Sequence, residues 1–109
     1  MSMPRTNCAS LVVMGLIVFG GASDAKADAA RGRVLSEQWC SQCHGVRPNE
    51  SSPNAKAPNF SAVTTEPSTT EYSLRVFLKT PHPTMPNFVL KPDDIDDIVG
   101  YIVSLKPQK

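Results

Sequence analysis

The apolar positions of this chain fall into distinct patterns, and each predicts a different kind of element. The first is an almost unbroken run, Leu11 to Phe19, interrupted only by Gly15. It follows Arg5 and is followed by Ala25-Lys26-Ala27, so charge, apolar stretch and small-residue site come in the order of a secretory signal peptide. From Asp28 the stretch "DAARGRVLSEQWCSQCH" reads as a helix, with Asp28 as N-cap and Ala29, Ala30, Val34, Leu35 and Trp39 as the apolar side. Residues 45 to 67 break the periodicity with Pro48, Pro53, Pro58 and Pro67 among Ser, Asn and Thr. This is a long loop with room for one helical turn after Pro58. Ser68-Thr69-Thr70-Glu71 has capping-box spacing, and Tyr72, Leu74, Phe77 and Leu78 then recur at helical intervals up to Pro81.

"TPHPTMPNF" carries three prolines in nine residues and predicts a stiff, extended loop, because each ring fixes its own φ and restricts its predecessor. The clearest helix is the last. Pro92 suits its first position, Asp93 and Asp94 suit the positive end of its dipole, and Ile95, Ile98, Val99, Ile102 and Leu105 mark one face. Lys91 is a poor N-cap, and Pro107 closes the element. No strand pattern, internal repeat or second domain is visible. The expectation is an all-α domain of about three helices over residues 28–109, behind a cleavable segment at 1–27.

Size sharpens this picture. Removal of residues 1–27 from the 109 leaves 82, near the length at which one apolar core barely outweighs chain entropy. Such a domain needs an additional source of stability. Of three cysteines, Cys8 precedes the apolar run, where its sulfur is misplaced for lipid attachment, and it leaves with the segment. Cys40 and Cys43 remain, and a disulfide between them would close only a tiny loop. The run is short for a membrane span, which needs about 20 residues, so stable insertion is expected only if the segment is retained as an anchor. A net charge of +1 excludes the basic excess of a nucleic-acid binder.

The chemistry concentrates in "WCSQCHG", Trp39 to Gly45. A redox dithiol needs CxxC at the start of a helix within a βαβ unit. Here the pair sits at a predicted helix end with no strands nearby. A zinc site would draw on Cys40, Cys43, His44 and His82, but adjacent Cys43 and His44 do not easily converge with Cys40 on one tetrahedral ion. The third reading uses every group. C-x-x-C-H is the attachment sequence of c-type haem, with two thiols one turn apart for the two porphyrin vinyl groups and His44 beneath the iron. A covalently bound haem would also supply the missing apolar core.

An iron held by His44 has a second face. Met85 is the only methionine of residues 28–109 and His82 the only other histidine. Met85 is favoured as the sixth ligand because its proline-braced loop holds a weak thioether in place; His82 is the alternative.

"GRVLSEQWCSQCHG", "APNF", "PHPTMPNF" and "DDIDDIVGYIVSLK" together resemble the small class I c-type cytochromes of bacteria, over nearly all of Asp28 to Lys109. The resemblance implies one covalent haem c, His/Met ligation by His44 and Met85, and one-electron transfer with no enzymatic activity. Redox donor and acceptor proteins, such as a dehydrogenase, an oxidase or a cytochrome complex, are implied as partners, in the periplasm or at its membrane face. It further implies that Gly32 and Tyr101 mark the crossing of first and last helices, and that the Pro58 carbonyl receives the free ring N–H of His44. Ser36 departs from the family by standing where many members have an aromatic residue. The runner-up function is a haem enzyme subunit or gas sensor with an open sixth position. Asp93, Asp94, Asp96 and Asp97 are expected as a solvated acidic turn, with a docking patch as the alternative.

Overall fold

The computed structural model describes residues 2–4, 15–17, 20–21, 26–81 and 84–109. Among the described residues four helices follow in order, α1 (Ala29–Trp39), α2 (Phe60–Val63), α3 (Glu71–Lys79) and α4 (Pro92–Ser104), and the fold is all-α. Arg5, Cys8, Ala25 and most of the Leu11–Phe19 run lie outside the described residues, as does His82. Among the described residues no helix is long and apolar enough to cross a membrane.

Helix α1 begins where its cap predicts. The Asp28 side chain accepts the Arg31 N–H at 3.0 Å, satisfying one of the amides that have no partner within the helix. Its packing face keeps part of the expected apolar side: Leu35 is buried and Ala29 and Trp39 pack against the core, but Gly32 and Ser36 are buried too, whereas Val34 is 51% exposed. The reason is the closeness of α4. A β-carbon on Gly32 would stand 1.8 Å from the Asp97 carbonyl oxygen and 2.9 Å from Tyr101 Cβ. Two helices meeting backbone to backbone can use only small residues at the crossing, and Val34 is turned away. Gly32 and Tyr101 thus hold the positions the resemblance implied. Ser36, fully buried, turns its hydroxyl back to the Gly32 carbonyl at 2.8 Å, which lets a small polar residue occupy the interface without an unsatisfied donor.

Helix α4 matches expectation most fully, with Ile95, Ile98, Val99 and Ile102 buried and no side-chain cap from Lys91. Its acidic residues form the expected solvated turn only in part, with Asp93 exposed and Asp96 half-exposed. Asp94 and Asp97 are buried, and the Arg31 guanidinium bridges them, Nη2 to Asp94 and Nη1 to Asp97, each at 2.5 Å. Asp96 accepts from Arg75 Nε of α3 at 2.8 Å.

The α3 cap also departs from expectation. The capping box is Thr70 with Ser73, not Ser68 with Glu71. Starting there leaves Glu71 in the first turn, beside Arg75 at 3.3 Å, while Leu74 enters the core. Tyr72 and Phe77 do not share that burial; they are 77% and 50% exposed. Helix α2 is the single turn anticipated after Pro58, capped by Asn59, whose side chain accepts the Ala62 N–H at 2.8 Å.

Candidate haem site

The end of α1 shapes the two thiols and the imidazole. Cys40 caps the helix, and its carbonyl accepts both the Cys43 N–H at 3.2 Å and the His44 N–H at 2.9 Å, so the chain completes one more turn through His44. Gly45 then permits a reversal that no other residue allows. A β-carbon there would lie 2.1 Å from the Glu50 carbonyl oxygen. The returning loop is fastened at several points: the Gly45 N–H donates to Ser52 Oγ at 3.0 Å, and the Glu50 carboxylate accepts from Val46 N at 2.9 Å and Arg47 N at 3.1 Å. Asn49 takes φ of 55°, a left-handed conformation that asparagine tolerates. The Asn54 N–H closes back onto the Cys43 carbonyl at 3.2 Å, and the Phe60 N–H onto that of Gly45 at 2.9 Å.

This second closure brings Pro58 to His44. The His44 Nδ1 lies 2.7 Å from the Pro58 carbonyl oxygen. A carbonyl can only accept, so Nδ1 carries the proton and Nε2 keeps its lone pair, the tautomer a metal ligand requires. The Phe60 ring, buried, leans on the imidazole with centroids 5.6 Å apart and planes at 48°. The pairing expected of Pro58 from the resemblance is present in the folded chain.

Cys40 and Cys43 are not joined in a disulfide. Burial pushes the Cys40 thiol up to about 11. A thiol that resists ionisation at neutral pH is a poor dithiol nucleophile, which disfavours the redox reading. The zinc reading gains nothing either: among the described residues no three His, Cys, Asp or Glu side chains are grouped to hold an ion.

Met85 lies on the loop between α3 and α4. It is half-buried and lines a small cleft with Leu78, Thr80, Pro86, Asn87, Phe88 and Leu90, none of which belongs to the 40–44 turn. A wider cleft of about 270 Å³ continues past Leu78, Phe88 and Leu90 to Pro81, Val89 and Ile95. The structure therefore brings Cys40, Cys43, His44 and Pro58 together, and places Met85 in a cleft between the end of α3 and the loop that precedes α4. Two free thiols one turn apart, an imidazole with Nε2 available and a thioether in apolar surroundings form a donor set that could hold a c-type haem. When bound, such a haem supplies one-electron exchange between ferric and ferrous iron.

Some contacts around the site escaped sequence reasoning. The Tyr101 hydroxyl donates to the Val46 carbonyl at 2.6 Å, fastening α4 to the loop just beyond His44. Glu37 accepts from Arg33 Nε at 3.1 Å and Arg47 Nε at 3.3 Å, joining α1 to the same loop. A tyrosine near the end of an apolar helix face was the available signal for the first; nothing in the local pattern marks the second.

A helical chain whose first and last helices cross at a glycine, and whose CxxCH histidine is oriented by a proline carbonyl, has the architecture of a small c-type cytochrome. Residues 27–102 match the cytochrome c family described as "Cytochrome C oxidase, cbb3-type, subunit III", and the chain belongs to it. It is 37% identical over 97 residues to cytochrome c-552 of Bradyrhizobium diazoefficiens, an alignment covering 88% of this chain and 93% of that protein. No solved structure matches the chain. Membership establishes a haem-based electron carrier with covalently bound haem c, working with redox partners.

Proposed function

We propose that this cytochrome is a periplasmic one-electron carrier and not an enzyme, with residues 1–27 removed on export and residues 28–109 forming its single domain. In this reading Cys40 and Cys43 carry one haem through thioether bonds, and His44 and Met85 are the axial ligands. The observation that carries it is the 2.7 Å contact between His44 Nδ1 and the Pro58 carbonyl, which holds the imidazole in the ligating tautomer. The proline-flanked loop limits the freedom of Met85, and Leu78, Phe88 and Leu90 line the same cleft. A thioether partner favours the reduced iron relative to a second imidazole and leaves no coordination position for a substrate.

Denaturing mass spectrometry tests the attachment: one haem mass must remain on the polypeptide after acid-acetone extraction. The ligand assignment is tested by substitution. Met85→Ala should let carbon monoxide bind and lower the potential, while His82→Ala should leave spectrum and potential nearly unchanged. Exchanged outcomes would make His82 the ligand. An open sixth position is the second reading, since residues 40–44 are not among those that line the cleft of Met85. Carbon monoxide binding by the unaltered protein would establish that reading and point to a gas sensor or a haem enzyme subunit.

A further inference from the structure

The start of α1 carries a contact that electron transfer does not use. The backbone N–H of Asp28 donates to Asp97 Oδ1 at 2.7 Å, joining positions 69 residues apart. Asp97 Oδ2 takes Arg31 Nη1, and Asp94 Oδ1 takes Arg31 Nη2, both at 2.5 Å. Asp28 uses its own carboxylate to cap the helix through the Arg31 N–H. The corner thus holds two buried carboxylates, Asp94 and Asp97, against one guanidinium, with the Asp28 carboxylate adding to the excess of negative charge. A neutral amide N–H fills the place of a second cation.

We propose that cleavage between Ala27 and Asp28 turns this hydrogen bond into an ion pair, the new α-ammonium of Asp28 docking on Asp97 and fastening α1 to α4 in the processed chain. The inference rests on the reading of residues 1–27 as a segment removed on export. A signal peptidase catalyses the step, with water as co-reactant. The C–N bond breaks, the water oxygen goes to the Ala27 carbonyl carbon to give a carboxylate, and the released nitrogen takes up the protons to become –NH3+. The nitrogen already lies at hydrogen-bonding distance from Asp97, so little further ordering is needed.

The opposing charges can be named. Asp97, Asp94 and the carboxylate of Asp28 favour the ammonium, while the Arg31 guanidinium and the positive end of α1 disfavour it. Asp97 decides the balance, being in direct contact and buried, where attraction is least screened. Arg31 already divides its charge between two carboxylates. The amine is therefore held protonated above the ~8 of an unstructured α-amine. Its stabilisation is complete below about pH 8 and is lost as pH rises through the higher folded value.

The test compares two haem-loaded proteins exported behind the same foreign leader, one beginning at Asp28 and one at Ala27, which have equal net charge. In the second, Asp28 is again an amide. Urea unfolding from pH 6 to 10 should give the Asp28 form a folding equilibrium constant about tenfold larger at pH 7, corresponding to one pH unit of amine shift. That advantage should vanish near pH 10, and at every pH in Asp97→Asn. A pH-independent difference, or one that survives Asp97→Asn, overturns the ion pair. Should Asp97→Asn fail to fold, NMR titration of the 13C-methylated α-amine in the unaltered Asp28 form decides, a midpoint at or below about 8 overturning it. Terminal mass spectrometry of the naturally exported protein addresses the processing separately. A first residue other than Asp28 overturns the cleavage step, whatever the ion pair does in the protein made to begin there.

Discussion

Gly32→Ala should destabilise this protein strongly, although in an exposed helical position the same change stabilises by about 0.5–1 kcal/mol. The added β-carbon would stand 1.8 Å from the Asp97 carbonyl oxygen and 2.4 Å from its carbon, where real contacts do not fall below 3.0 Å. Restoring 3.0 Å from 1.8 Å requires α1 and α4 to part locally by at least 1.2 Å. A gap of about 0.5–1 Å already forfeits a quarter to a half of each dispersion contact across an interface. The Asp28–Asp97 bond at 2.7 Å would be stretched by the same movement. Overpacking of this kind costs about 1–3 kcal/mol, and a weakened hydrogen bond to a charged group about 1.5–3 kcal/mol more. A net loss of about 3 kcal/mol follows, within the ~5–15 kcal/mol that holds a typical domain folded. For a domain of this size that lowers the melting temperature by about 12–24 °C. Far-UV circular dichroism of the haem-loaded variant through thermal and urea unfolding measures it. A Gly32→Ala protein as stable as its parent would refute the close crossing of α1 and α4.

Tyr101→Phe leaves the Val46 carbonyl, in a residue only 1% exposed, without its 2.6 Å donor, and should cost about 1–2 kcal/mol in urea unfolding. Acid unfolding should carry a signature of Asp97. Burial works against its charge, but the Asp28 N–H and the Arg31 guanidinium outweigh that and hold its carboxyl below the usual carboxylate range. Its contribution is full above the unfolded value of about 3.9 and is lost as pH falls through the lower folded value. Urea midpoints between pH 2 and 6 should therefore fall more steeply for the parent protein than for Asp97→Asn, and equal slopes would remove Asp97 from the acid transition.

Features governed by near neighbours were legible in the sequence. The Asp28 cap, the Ile95–Ile102 face of α4 and the turn from Cys40 to His44 each depend on residues within about two helical turns. The proximity of Pro58 to His44 came from family resemblance, since a separation of 14 positions along a loop leaves no local signal. What failed was decided at a distance. Asp94 and Asp97 look like a solvated helix start until Arg31, 63 and 66 residues earlier, is brought against them. Ser68 and Thr70 offer nearly equivalent caps, and the choice falls to the register in which Leu74 enters the core while Arg75 reaches Asp96. Val34 is apolar and helical yet exposed, because the contact it was expected to make is taken by the glycine two residues before it.

The crossing of α1 with α4 also sets an order of events in the life of the chain. Helix α1, which leads into the CxxCH turn, is made before α4, and 52 residues separate the end of the one from the start of the other. Until Pro92–Ser104 arrives, Gly32 has no carbonyl to rest on, and Cys40, half-buried against the core in the folded chain, has no complete core to enter. Arrival of α4 completes the core against which Cys40 packs, so the contact between α1 and α4 forms only after both helices have been made.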